Sequence, residues 1–175
     1  MAVTRTRRDD PILERWVPLV YDTRSNEGLG AIARAPGDDT LVSWHVTDRP
    51  DKLAAFLKRR GRLVAAYGPK GKHAELGPGL YLGPPSYWRG RSTPYNIGFW
   101  RGPAPSPSIV EVRFRGRFAE LAGSRPPRGV LRTLRRMRLQ GAFTHANASM
   151  GANPELVIWD PRAIVSARVA PEIRV

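Results

Sequence analysis

The sequence predicts an α+β fold, a single domain of many short strands with few helices. Three observations carry that expectation. The run SIVEVRFRGRF sets Ile109, Glu111, Arg113 and Arg115 against Val110, Val112 and Phe114, the period-two alternation of a half-buried strand. The run RGVLRTLRRMRLQ places Val130, Leu134 and Met137 on one stripe among arginines, as an amphipathic helix does. Glycine and proline, 17 of each in 175 residues, punctuate the chain too often for long elements. A domain of this length buries roughly 70% of its unfolded surface, so one core is expected over residues 12–175, behind a basic lead-in at residues 1–11.

Taken in order, RWVPLVYD reads as a first strand, and the Gly, Asp and Pro residues between Asp22 and Asp39 read as loop. TLVSWHVT is rich in β-branched and aromatic residues and alternates, which predicts a strand. In RPDKLAAFLKRRG, Asp48 is the candidate N-cap, Leu53, Phe56, Leu57 and Arg60 fall at helical spacing, and Gly61 stops the helix. GPKGKHAELGPG is loop, GLYLG a short strand, PPSYWRG a short helix begun by its prolines, and TPYNIGFW another strand. After APSPS comes the alternating strand, then SRPPRG as a turn, the basic helix, and two closing strands in ELVIWD and AIVSARVA. No repeat of roughly 20 to 50 residues is present, which excludes a solenoid.

The net charge of +14 points to a polyanionic partner such as nucleic acid. Arginine greatly outnumbers lysine, so a composition biased toward Arg, Ala, Gly and Pro offers a second explanation of the charge. No apolar run approaches the roughly 20 residues of a membrane span, and MAVTRTRRDD has no apolar stretch behind its positive charges, so neither a span nor a signal peptide is expected. With no cysteine and three histidines far apart, no metal site is expected.

Three pieces recur in a meaningful order: SWHVT on a strand, GLYLG after a glycine-rich loop, and NPELVIWDPRAIVS opening a late strand. Together they resemble the ADP-ribosyltransferases of the diphtheria-toxin and poly(ADP-ribose) polymerase branch, over about residues 40–168. The matching positions are His45 with Thr47, Tyr81 and Glu155, and Val46 stands where that family usually has glycine. The resemblance implies an ADP-ribosyltransferase-like split β-sandwich of short, mainly antiparallel strands with a few flanking helices. It implies NAD as a consumed substrate, with the nicotinamide ring held between Tyr81 and a second tyrosine. Tyr87 is the nearest candidate for that second ring and Tyr95 the fallback. Offset stacking of this kind contributes about 0.5–1.5 kcal/mol per ring beyond the area buried.

By the same resemblance, His45 would bind the adenosine ribose, and Val46, through its backbone, and Thr47 the nicotinamide amide. Glu155 would stabilise the oxocarbenium-like transition state and orient the acceptor. Tyr81, His45 and Glu155 form the implied catalytic set. The plain alternatives are a satisfied strand histidine, a packed tyrosine, and an acid marking the solvent end of a strand.

For the acceptor, Arg128, Arg132, Arg135, Arg136 and Arg138 on the basic helix offer a phosphate track, against the simpler reading of a solvated face. His145 and Asn147 fall where family members often recognise acceptors, and Lys70, Lys72 and His73 could meet the pyrophosphate or the acceptor. The expected activity is mono-ADP-ribosylation by a toxin or effector-type domain, monomeric, acting in the cytoplasm or delivered into that of a target cell. RNA ranks ahead of DNA as acceptor, a protein acceptor is the further option, and a cognate inhibitor protein would fit such a role. Competing readings are an NAD glycohydrolase, an RNA 2′-phosphotransferase-like enzyme, a nucleic-acid-binding module without catalysis, and a degenerate transferase fold used as a partner or immunity surface.

Overall fold

A computed structural model describes residues 11–24, 33–34, 39–47, 51, 55, 58–59, 76–83, 108–123, 125–144 and 155–170. Within them the chain forms helix α1 (Pro11–Trp16) and strands β1 (Leu19–Asp22), β2 (Ala33–Arg34), β3 (Leu41–Thr47), β4 (Leu80–Leu82), β5 (Ser108–Phe114) and β6 (Arg117–Leu121). Helix α2 (Arg128–Arg136), strands β7 (Gly141–Thr144) and β8 (Glu155–Ile158), a 3-10 turn (Pro161–Ala163) and β9 (Ile164–Val169) follow. The architecture is mixed α and β: two sheets, mostly antiparallel, with few helices.

One sheet has the order β1-β6-β7-β8-β4, antiparallel except for the parallel pair β6–β7, and the other has the order β2-β3-β5-β9. Strand β3 pairs with β5 along its whole length, from Leu41 opposite Phe114 to Thr47 opposite Ser108. The two sheets meet face to face over Leu41, Val110, Val112 and Phe114 from one and Leu80, Leu82, Phe118, Phe143, Leu156 and Ile158 from the other. The rings of Phe114 and Phe118 join the layers edge to face, centroids 5.3 Å apart. They are also joined through backbone: Trp44 and Gly83 exchange N–H···O bonds of 2.9 and 3.1 Å, tying β3 to the end of β4.

The outer face of the five-stranded sheet is covered by α1 and α2. Leu13 and Val17 meet Val130, Leu131 and Leu134 there, over Ala119, Ala142 and Val157. Full burial of each of these valines and leucines contributes about 1.5–3 kcal/mol, and α2 depends on it, because its N-terminus has neither a side-chain cap nor an acidic first turn. The helix ends in a Schellman pattern: Leu139 N–H donates to the Leu134 carbonyl at 3.3 Å and Arg138 N–H to that of Arg135 at 3.0 Å. Arg138 takes the left-handed position with φ of 57°, where glycine is the usual residue.

Four expectations change. RWVPLVYD is not one strand, because Arg15 and Trp16 close α1 and extended backbone begins at Leu19. SIVEVRFRGRF is two strands in two different sheets, broken at Gly116 with φ of 133°. The stretch between Asp22 and Asp39, read as loop, holds the two-residue strand β2 at Ala33–Arg34, and GAFT, for which the sequence suggested no element, is the fully buried β7. In the expected helix after Asp48, the described residues Asp51, Ala55 and Lys58 are helical, and Arg59 N–H donates to the Ala55 carbonyl at 3.1 Å. PPSYWRG and TPYNIGFW lie outside the described residues. Among the described residues, no helix is long and apolar enough to cross a membrane.

Candidate functional site

The three motifs, far apart in the chain, arrive on neighbouring strands. His45 is the fifth residue of β3, Tyr81 the centre of β4, and Glu155 the first residue of β8. Strand β4 pairs with β8, Leu82 opposite Leu156, and Gly83, the residue after Leu82, bridges to Trp44 beside His45. The backbones of His45, Gly83 and Glu155 thus come together at one end of the β4–β8 pair. Glu155 itself pairs with Thr144 of β7, and Val46 and Thr47 pair with Ile109 and Ser108.

His45 is buried, with its Nδ1 2.8 Å from the Tyr81 carbonyl oxygen. A carbonyl only accepts, so Nδ1 carries the proton and Nε2 becomes the acceptor nitrogen of the ring. Burial pushes the pKa of His45 below the usual imidazole value, and the bond to the carbonyl only partly opposes it. The ring is therefore neutral at physiological pH with its tautomer fixed, an arrangement suited to accepting a hydrogen bond and not to presenting a positive charge.

The Tyr81 ring is turned into the core beneath α2, 1% exposed. Its hydroxyl donates to the Gly77 carbonyl at 2.8 Å and accepts from the Leu76 N–H at 3.0 Å. It is thereby the post around which the turn before β4 closes. Trp159 completes that turn by donating Nε1–H to the Leu76 carbonyl at 2.9 Å. Arg135 lies over the Trp159 ring, 5.1 Å from its centroid, and donates to the Pro78 carbonyl at 3.2 Å. Burial lowers the Arg135 pKa, which leaves a guanidinium charged in any case.

Of the other expected site residues, Tyr87, Tyr95, His145, Asn147, Lys70, Lys72 and His73 lie outside the described residues. Arg128, Arg132, Arg135 and Arg136 are all exposed on α2, opposite its buried stripe. They do not act as one group, because Arg135 and Arg138 face a groove that Arg128, Arg132 and Arg136 do not line.

That groove, of about 1060 Å³, was not foreseen from the sequence as a unit. Its walls are the end of β1, the β5–β6 turn, the C-terminal turn of α2, and the segment from Trp159 to Ala163. It gathers Arg24, Arg115, Arg117, Arg135, Arg138 and Arg162. The fold assembles these six arginines from four separate segments of the chain. Among the described residues, no group of three or more His, Cys, Asp or Glu side chains is arranged to hold a metal ion. In comparisons with known proteins, no family model matches the chain and no curated protein matches it.

Proposed function

We propose that the chain is an NAD-consuming mono-ADP-ribosyltransferase of the split β-sandwich type, with nucleic acid as the acceptor. The observation that carries this reading is the convergence of His45, Tyr81 and Glu155 on the adjoining strands β3, β4 and β8. A five-stranded and a four-stranded sheet linked at Trp44 and Gly83 are consistent with that architecture.

On this reading the bond between nicotinamide nitrogen and the anomeric ribose carbon breaks, and nicotinamide leaves neutral with the bonding pair. Positive charge develops on the ribose, and the Glu155 carboxylate stabilises it while accepting a hydrogen bond from the 2′-hydroxyl. The acceptor oxygen or nitrogen then bonds to the anomeric carbon and passes its proton to the Glu155 carboxylate that orients it. His45, with Nδ1–H held by the Tyr81 carbonyl, stands at the position that the resemblance assigns to the adenosine ribose. The Tyr81 carbonyl is in this way a positioning group for His45.

The test is release of nicotinamide from NAD, with and without added RNA, by the native chain and by Glu155→Gln. Loss of the carboxylate is expected to slow release by about 10²- to 10⁴-fold without changing the unfolding midpoint. Wild-type turnover by Glu155→Gln would overturn the assignment, and no release by the native chain would overturn the reading. One observation favours a second reading, a nucleic-acid-binding module without NAD chemistry: the Tyr81 ring serves the core under α2, with both hydroxyl bonds made inside the fold.

A further inference from the structure

We infer that the arginine groove at the Gly116 end of the sheets binds the phosphodiester backbone of a single-stranded nucleic acid. It lies away from Glu155. Strand β8 runs from Glu155, opposite Thr144, to Ile158, opposite Gly141, and the groove begins beyond that second end at Trp159. The inference deepens only the nucleic-acid part of the reading above and involves no NAD.

The charge inventory sets the ligand class. Six arginines and three aspartates, Asp22, Asp39 and Asp160, line the groove, which leaves a net three positive charges. Asp22 grips Arg24 through both oxygens at 2.9 and 2.7 Å, and Asp160 grips Arg162 at 2.8 to 3.1 Å. These pairs fix two walls. Arg115, Arg117 and Arg138 form no ion pair with another described residue, and all three are exposed. Three guanidiniums in one concave space are arranged for anionic oxygens, which they bind through paired N–H donors.

The floor is already built. Gln140 Oε1 accepts from Arg117 N–H at 2.7 Å, and its Nε2 donates to the Arg138 carbonyl at 3.0 Å. Its own backbone bonds Arg117 at 2.9 Å and Trp159 at 2.8 Å. Gly116 is held on both sides by Thr23, through N–H···Oγ1 and O···H–N bonds of 2.9 Å. Gly116 holds a φ of 133° that strains any other residue, and a Cβ there would come within 2.7 Å of Gln140 Oε1 and displace that side chain. One glutamine thus sets the spacing of Arg117 and Arg138 before any ligand arrives.

The shape separates one strand from two. At about 1060 Å³ the groove is at the upper limit of small-molecule sites, roughly 300–1000 Å³. Being walled by four separate segments, it receives a single flexible backbone threaded through it, whereas a duplex would rest on the convex face of α2. Trp159 at the wall, backed by Arg135, adds an aromatic surface of the kind on which single-stranded sites stack bases.

The experiment is fluorescence anisotropy of a labelled uridine 12-mer with the native chain over a salt series, without NAD. A 12-base-pair RNA duplex and inorganic phosphate serve as competitors. The groove variant is Arg115→Gln/Arg117→Gln/Arg138→Gly, in which glycine suits the left-handed φ of 57°. It is compared with the helix-face variant Arg128→Gln/Arg132→Gln/Arg136→Gln. The groove variant should lower the slope of log K against log salt by about 2, at about 0.7 per lost phosphate contact, with its urea midpoint no lower than that of the native chain. Full binding by the groove variant and loss by the helix-face variant would move the track to α2 and overturn the inference. Competition by the duplex as strong as by the 12-mer, or by inorganic phosphate at equal concentration, would overturn the occupant. No binding by the native chain would overturn both the groove and the nucleic-acid reading, while nicotinamide release would still report separately on NAD chemistry.

Discussion

Removing one oxygen from the chain, in Tyr81→Phe, separates the two roles open to that ring. The hydroxyl makes two bonds inside the fold, to the Gly77 carbonyl at 2.8 Å and from the Leu76 N–H at 3.0 Å. Phenylalanine keeps the packing under α2, so no cavity opens, but the buried Leu76 N–H loses its acceptor. An unsatisfied buried donor costs about 1–3 kcal/mol. With a urea dependence of about 2 kcal/mol per molar, the unfolding midpoint falls by about 0.5–1.5 M. The Leu76 turn should also become less protected in amide exchange, because the hydroxyl is the post it closes on. The assay is urea unfolding followed by the fluorescence of the five tryptophans, among them Trp159, whose Nε1–H is bonded to the same turn. An unchanged midpoint together with a changed KM for NAD would refute the reasoning, since it would place the ring against a ligand and not against Leu131 and Leu134.

Two further outcomes are expected. The depressed pKa of His45 means that the unfolded chain binds a proton more readily than the folded one, so stability is full above about pH 6.5 and is lost as pH falls toward the folded-state value, by at most about 1.4 kcal/mol per unit. His45→Gln should remove that contribution, and an identical pH slope in the variant between pH 6.5 and 5 would count against it. At Gly141, an added methyl would be driven into the Val157 carbonyl oxygen and the Phe118 ring, so Gly141→Ala should lower stability by more than about 3 kcal/mol, read as a collapse of the thermal transition.

The elements that could be read from the sequence are those whose side chains repeat with the period of their backbone. Strand β5 alternates, and Val110, Val112 and Phe114 do enter the core; α2 carries Val130 and Leu134 at helical spacing, and both are buried with Leu131 between them. The other face of β5 departs from simple alternation. Glu111 is 8% exposed and is held by Arg168 through two bonds of 3.2 and 2.7 Å, a cross-strand pair with β9 that the local pattern does not reveal. Helix α1 carried a legible signal that a basic context obscured: Pro11 at its first position and the spacing of four between Leu13 and Val17. Strand β7 is too short at four residues to show any period. Candidate residues divide in the same way. His45, Tyr81 and Glu155 stand out in the sequence because they sit in motifs, whereas the groove was hidden because Arg24, Arg115, Arg138 and Arg162 share no local sequence and meet only when β1, β5, α2 and the 3-10 turn are packed.

The strand order also bears on how the molecule is made. In the five-stranded sheet the three central strands, β6, β7 and β8, all come from residues 117–158, whereas in the four-stranded sheet the centre is β3 beside β5, with β9 at one margin. The earlier part of the chain supplies β1 and β4 to the two margins of the first sheet, and β2 with its inner neighbour β3 to one half of the second. The pairings of β6 with β7 and of β7 with β8 span the shortest loops of that sheet, so they are expected to consolidate before the long loops that bring in β1 and β4 are closed. His45 and Tyr81 ride on strands that arrive late, while Glu155 belongs to the block that forms early. The backbone meeting of His45, Gly83 and Glu155 would therefore form only after docking, whereas five of the six arginines of the groove belong to the later part of the chain.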